Sequence, residues 1–90
     1  MASVRFTSAL RRFYPDLAPQ QIEADTVAGI LNQLDQAYPG LKTYLVDERG
    51  RLRKHVNIYI GEELVRDREG LKDAVDPGDE ILIFQALSGG

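Results

Sequence analysis

The stretch Gly78-Asp79-Glu80-Ile81-Leu82-Ile83-Phe84-Gln85-Ala86-Leu87-Ser88-Gly89-Gly90 decides how this chain folds. Asp76-Pro77-Gly78-Asp79 leads into it as a turn, because proline presets one backbone angle and glycine accepts left-handed ones. Ile81 to Gln85 then reads as a strand that is apolar on both faces for most of its length, the pattern of a strand in mid-sheet. Successive side chains alternate, so Ile81 and Ile83 share one face and Leu82 and Phe84 the other. After Ala86 the residues turn small and polar. At ~3.3 Å per residue, Leu87 to Gly90 reach about 13 Å past the sheet. Gly89 and Gly90 have no side chains, so a narrow tunnel can admit them, and what they present is the α-carboxylate of Gly90. A terminal Gly-Gly alone is weak grounds for function; its place after a buried strand adds weight.

Working outward, Ser3-Val4-Arg5-Phe6-Thr7 alternates polar and apolar and predicts a strand with Val4 and Phe6 on one face. Pro15 and Pro19 keep any helix between Ser8 and Pro19 short. Gln21 to Ala24 predicts a second strand forming a hairpin with the first. Val27, Ile30, Leu31, Leu34 and Tyr38 follow helical spacing, with Asp25 or Thr26 as cap and Pro39-Gly40 as stop. Leu41 to Val46 is a short apolar segment and Asp47-Glu48-Arg49-Gly50 a turn. Arg53 to Ile60 predicts a strand with Val56, Ile58 and Ile60 on one face. Gly61-Glu62-Glu63 turns the chain into a short edge strand at Leu64-Val65, and Leu71 to Val75 predicts a single helical turn. The order gives an α+β fold, a mixed sheet with one main helix packed across it and the first and last strands paired in parallel.

Ninety residues make one small domain. The chain has no cysteine and one histidine, His55. That excludes a disulfide framework, an iron–sulfur cluster, a cysteine nucleophile and a multi-histidine metal site within it. A net charge of −3 disfavours nucleic acid as a partner. No apolar run approaches membrane length and the start has no apolar signal core, so a cytoplasmic location is expected. His55 has no Ser, Cys or carboxylate at a telling spacing, and no catalytic or metal-binding residue is assigned. Arg49, Arg51, Arg53 and Lys54 read as a solvated hairpin, with a steering patch for an acidic partner or for a nucleotide phosphate as the alternative. The four tyrosines show no regular platform for stacking bases.

The strand order, Gly78-Asp79-Glu80 before an apolar strand, and the terminal Ala86-Leu87-Ser88-Gly89-Gly90 resemble the ubiquitin-like MoaD/ThiS sulfur carriers. Lys54-His55-Val56-Asn57-Ile58-Tyr59-Ile60 followed by Gly61-Glu62-Glu63-Leu64-Val65-Arg66 is especially similar to the branch serving cysteine biosynthesis. Arg11 to Pro19 matches least, and Gln85-Ala86 stands where many relatives have proline. The resemblance implies a β-grasp domain at residues 1–86 with four to five strands, and a tail at residues 87–90. It implies a protein cosubstrate and not an enzyme, with no bound cofactor. An E1-like adenylating enzyme would use ATP to activate Gly90, and a sulfur donor would leave a thiocarboxylate there. The partners implied are that enzyme and a sulfur-accepting synthase, either a cysteine synthase or the large subunit of molybdopterin synthase. Thiamine synthesis and tRNA thiolation are further destinations. The other readings are a ubiquitin-like modifier joined through Gly90 to target lysines and an interaction module with an inert terminus.

If the helix covers the Ile81/Ile83 face, Phe84 points outward. With Leu87, Leu64 and Phe6 it would then form an apolar partner-binding patch beside the tail. Positions matching Phe84 and Leu64 resemble partner contacts in MoaD-like relatives. The chain alone is expected to be a monomer.

Overall fold

A computed structural model describes residues 1–85. It contains β1 (Ala2–Phe6), a 3-10 helix (Ser8–Arg12), β2 (Gln20–Ile22), α1 (Val27–Ala37), α2 (Leu41–Leu45), β3 (Val56–Ile60), β4 (Glu63–Leu64) and β5 (Glu80–Gln85). The five strands form one sheet in the order β2-β1-β5-β3-β4. β5 is central, parallel to β1 and antiparallel to β3, while β2 and β4 pair antiparallel at the edges. This is the ubiquitin-like β-grasp arrangement, one main helix across a mixed sheet.

The alternation seen in the sequence sets which face is covered. Val4, Val56, Ile58, Ile81 and Ile83 are buried on one side of the sheet, and Val27, Ile30, Leu31 and Leu34 of α1 pack onto them. Each such side chain removed from water contributes about 1.5–3 kcal/mol, so this layer is the main source of stability. Thr26 caps α1 by accepting a hydrogen bond from the Gly29 amide at 3.1 Å, satisfying one of the amides a helix start leaves free. At the other end Gly40 has a φ of +90°, and an added Cβ would sit 3.1 Å from the Tyr14 hydroxyl. Glycine is needed there both for its backbone and for that close approach.

The segment from Leu71 to Val75 is not the helical turn its sequence predicts. Its carbonyls are committed elsewhere: Leu71 accepts from the Ala28 amide at 2.8 Å and Asp73 from the Val27 amide at 3.1 Å, while Ala74 bridges to Thr26. The segment thus satisfies the free amides of α1 in place of building its own ladder, and Leu71 takes a φ of 54°. Two carboxylates hold the loop in shape. Asp67 accepts from the amides of Glu69, Gly70 and Lys72, and Asp73 from those of Arg66 and Asp67. β3 is also shorter than expected, because Arg53 to His55 turn into it; the Val56 amide donates to the Arg53 carbonyl at 3.0 Å. The apolar segment after Gly40 is helical, as α2.

Three of the four tyrosines converge beside α2. Tyr14 meets Tyr38 and Tyr44 edge-on at 6.2 and 5.8 Å, and Phe13 stacks on Tyr44 at 4.7 Å. Tyr14 donates to the Pro39 carbonyl and Gln20 donates to the Tyr38 hydroxyl, so the cluster fastens the β1–β2 connection to the end of α1.

Candidate functional site

The site starts where β5 stops. Gln85 lies opposite Val56 of β3, and its amide donates to Thr7 Oγ1 at 3.3 Å. The Thr7 amide in turn donates to the Ile83 carbonyl at 3.2 Å. The last described residue is therefore held from both neighbouring strands. Its side-chain Oε1 is buried with no hydrogen-bond partner among the described residues. Leu87, Ser88, Gly89 and Gly90, the expected tail and reacting carboxylate, lie outside the described residues.

The second part is the face of the sheet opposite α1, which no element of the described residues covers. The pairing of Arg5 with Leu82, Leu82 with Tyr59 and Tyr59 with Leu64 makes one row across four strands. Phe84, opposite Asn57, lies one row nearer the end of β5. Phe84 is 39% exposed and Leu64 49% exposed, with Leu82 and Tyr59 half-buried between them. Arg68 borders this strip: its guanidinium donates to Asn57 Oδ1 and, at 2.7 Å, to the Arg53 carbonyl. An apolar strip edged by arginines suits contact with another protein.

Of the four patch residues expected from the sequence, Leu87 lies outside the described residues, and the structure brings Phe84 and Leu64 onto this face and not Phe6. Phe6 pairs with Ile83 and so points to the helix side, where it packs half-buried against the core. The alternation of β1 already placed Phe6 with Val4, which was the signal against it. Tyr59 and Leu82 complete the strip and were not singled out; their alternation with Ile58 and Ile83 was the available signal. Arg68 gave no signal, since a loop brings it there.

The basic run lies at and after a turn, with Arg49, Arg51, Arg53 and Lys54 all exposed. Asp47 accepts from the backbone amides of Arg49 and Arg51 and pairs with Arg51 Nε at 3.3 Å. Those contacts, the Arg51 amide first, hold its carboxyl below the usual carboxylate range. Arg53 Nε donates to the Thr43 carbonyl at 3.0 Å. His55 is exposed at the turn into β3.

Comparison with known proteins bears on the same features. Sulfur carrier protein CysO of Mycobacterium tuberculosis is 37% identical over 68 residues, 73% of each chain. Small archaeal modifier protein 3 of Haloferax volcanii is 32% identical over 65 residues, 72% of this chain and 70% of that one. A chain in the crystal structure of the Amycolatopsis orientalis BexX/CysO complex superimposes over the full length of both with a TM-score of 0.84 and 29% identity. The chain is thus similar to ubiquitin-like carriers and modifiers. No helix of the described residues is long and apolar enough to cross a membrane. Residues 4–90, which include β2 to β5, β1 from Val4 on, α1 and the terminal Gly-Gly, match the ThiS family, and the chain belongs to it.

Proposed function

We propose that this protein carries sulfur on Gly90, at the end of a tail of residues 87–90 that follows a β-grasp domain of residues 1–86. An E1-like adenylating enzyme joins the carboxylate to AMP from ATP, with release of pyrophosphate. A sulfur donor then attacks the acyl carbon, AMP leaves, and a thiocarboxylate remains. Its sulfur is anionic near neutral pH and nucleophilic, for the reason that makes thiolate the reactive form of cysteine. The chain supplies the group and the partner enzymes the catalysis. ATP is the enzyme's substrate and not a ligand of this chain.

The observation that carries this reading is the ThiS family match, which runs through the central strand β5 and on to the Gly89-Gly90 pair. The strip of Phe84, Leu82, Tyr59 and Leu64 is the surface offered to the partners. The likeness to CysO and the stretch from His55 to Arg66 favour cysteine biosynthesis, with a sulfur-accepting synthase as second partner. Molybdopterin, thiamine and tRNA thiolation are the rival destinations. The protein works in the cytoplasm, as a monomer between encounters.

The likeness to small archaeal modifier protein 3 supports a second reading, attachment through Gly90 to lysines of other proteins. One experiment separates the two. The protein is incubated with the E1-like enzyme of its own organism, ATP and a sulfur donor, and its intact mass is measured. Exchange of one oxygen for sulfur, lost on deleting Gly90, is the expected result. Protein adducts without that exchange would favour the modifier, and an unchanged mass would count against both.

A further inference from the structure

The net charge of −3 hides a separation of charge along the strands. At the end where β1 and β5 begin, Glu23, Asp25, Glu62, Glu63, Asp76 and Glu80 are all exposed. The sheet gathers them: the Gly61 amide donates to the Glu80 carbonyl at 2.7 Å, the Gly78 amide to the Met1 carbonyl at 3.0 Å and the Val75 amide to the Asp25 carbonyl at 2.8 Å. At the opposite end, where β5 stops, Arg12, Arg49, Arg51, Arg53 and Lys54 are exposed. These are five of the chain's 11 lysines and arginines. Topology brings them there. The 3-10 helix directly follows β1, and Arg53 to His55 lead into Val56, the partner of Gln85. The Asp47–Arg51 turn is tied to the same place by the Arg53 amide, which donates to the Leu45 carbonyl at 2.9 Å.

Among the described residues, Arg51 is the one of these cations within ion-pair distance of a carboxylate. Phe13, 54% exposed, stacks on Tyr44, the residue after Thr43, whose carbonyl Arg53 engages. An aromatic surface is therefore set among the cations.

We propose that this cationic end orients the carrier, tail first, on a protein whose tail-accepting mouth is ringed by carboxylates, with Phe13 as an apolar contact. The six carboxylates of the other end are repelled by the same mouth, so the wrong approach is opposed as the right one is favoured. Asp16, Asp47 and Glu48 lie among the cations. That mixture suits a protein rim better than the uniform charge of a nucleic-acid backbone. The identity of the partner rests on the sulfur-carrier reading; the orienting surface does not.

Stopped-flow association with the E1-like enzyme of the same organism tests this. At low salt, the R12E/K54E variant should associate about tenfold more slowly and R12Q/K54Q about threefold more slowly. E62K/E63K should associate no more slowly than the unmodified chain. At about 1 M salt, where screening acts within ~3 Å, the rates should converge. Adenylate formed at saturating enzyme should be the same for all, which also shows that the variants fold. Equal rates at low salt, or a deficit that survives high salt, would overturn the proposal. So would binding of bulk tRNA that R12E/K54E abolishes while leaving enzyme association untouched. A chain that binds in this salt-dependent way without being adenylated defeats the carrier reading and leaves the orienting surface standing. A chain adenylated at rates indifferent to salt and to R12E/K54E does the reverse.

Discussion

Ile83 and Phe84 are neighbours on one strand and belong to different worlds. Ile83 is fully buried between Ile58 and Phe6 under α1, and Phe84 is exposed on the opposite face, which no element of the described residues covers. The covered face accounts for the fold: remove it and the helix has nothing to lie on. The open face adds little to folding, because its apolar atoms remain partly in water before and after. Apolar residues kept in a contiguous exposed strip are better explained by what they meet than by what they stabilise.

The sharpest way to break this contrast is to truncate both neighbours. Ile83→Ala should cost about 3–4 kcal/mol in urea denaturation, since it removes buried methyl groups and leaves a cavity. Phe84→Ala should cost less than about 0.5 kcal/mol, the range of surface changes. Similar losses for both would mean that the open face is not open. Next in size is the reverse measurement. Phe84→Ala should weaken binding to the adenylating enzyme by about 2 kcal/mol, roughly 30-fold, and Leu64→Ala by less, as expected of a central anchor and its neighbour. Unchanged titrations by calorimetry would remove the strip from the interface.

A smaller effect tests the cover itself. Thr26→Ala frees the Gly29 amide and should lower stability by about 1 kcal/mol, without changing enzyme binding. The smallest effect is acidic. Contacts from the backbone amides, that of Gly70 first, hold Asp67 below its ordinary value of 3.8. A carboxyl depressed in the folded state stabilises above its unfolded value, and that contribution is lost as pH falls through the folded one. The stability gap between the unmodified chain and Asp67→Asn should therefore be constant near neutrality and shrink below about pH 4. A gap that widens on acidification would show that the carboxylate is not what holds the loop.

The fold was largely legible because its signals are local. Strict alternation in β1, β3 and β5, helical spacing from Val27 to Leu34 and the turn at Asp76 to Asp79 each determine their own element. Leu71 to Val75 was not legible. Its backbone serves amides of α1 more than forty residues earlier, and no window around it contains that fact. The site was half legible. Phe84 follows from the parity of its strand and Leu64 from its edge position, whereas the parity of Phe6 with Val4 assigns it to the covered face and not to the patch. The charge separation was legible only in part: the run from Arg49 to Lys54 is local, whereas Arg12, about forty residues earlier, joins it only through the order of strands.

The parallel pairing of β1 with β5 also sets where handles belong. The chain starts at the end of the sheet where Gly78 binds the Met1 carbonyl, and the last described residue stands at the far end. A tether on the amino terminus would hold the molecule by the end away from Gln85, whereas immobilising it through the Arg12 and Lys54 side would cover the end where β5 stops.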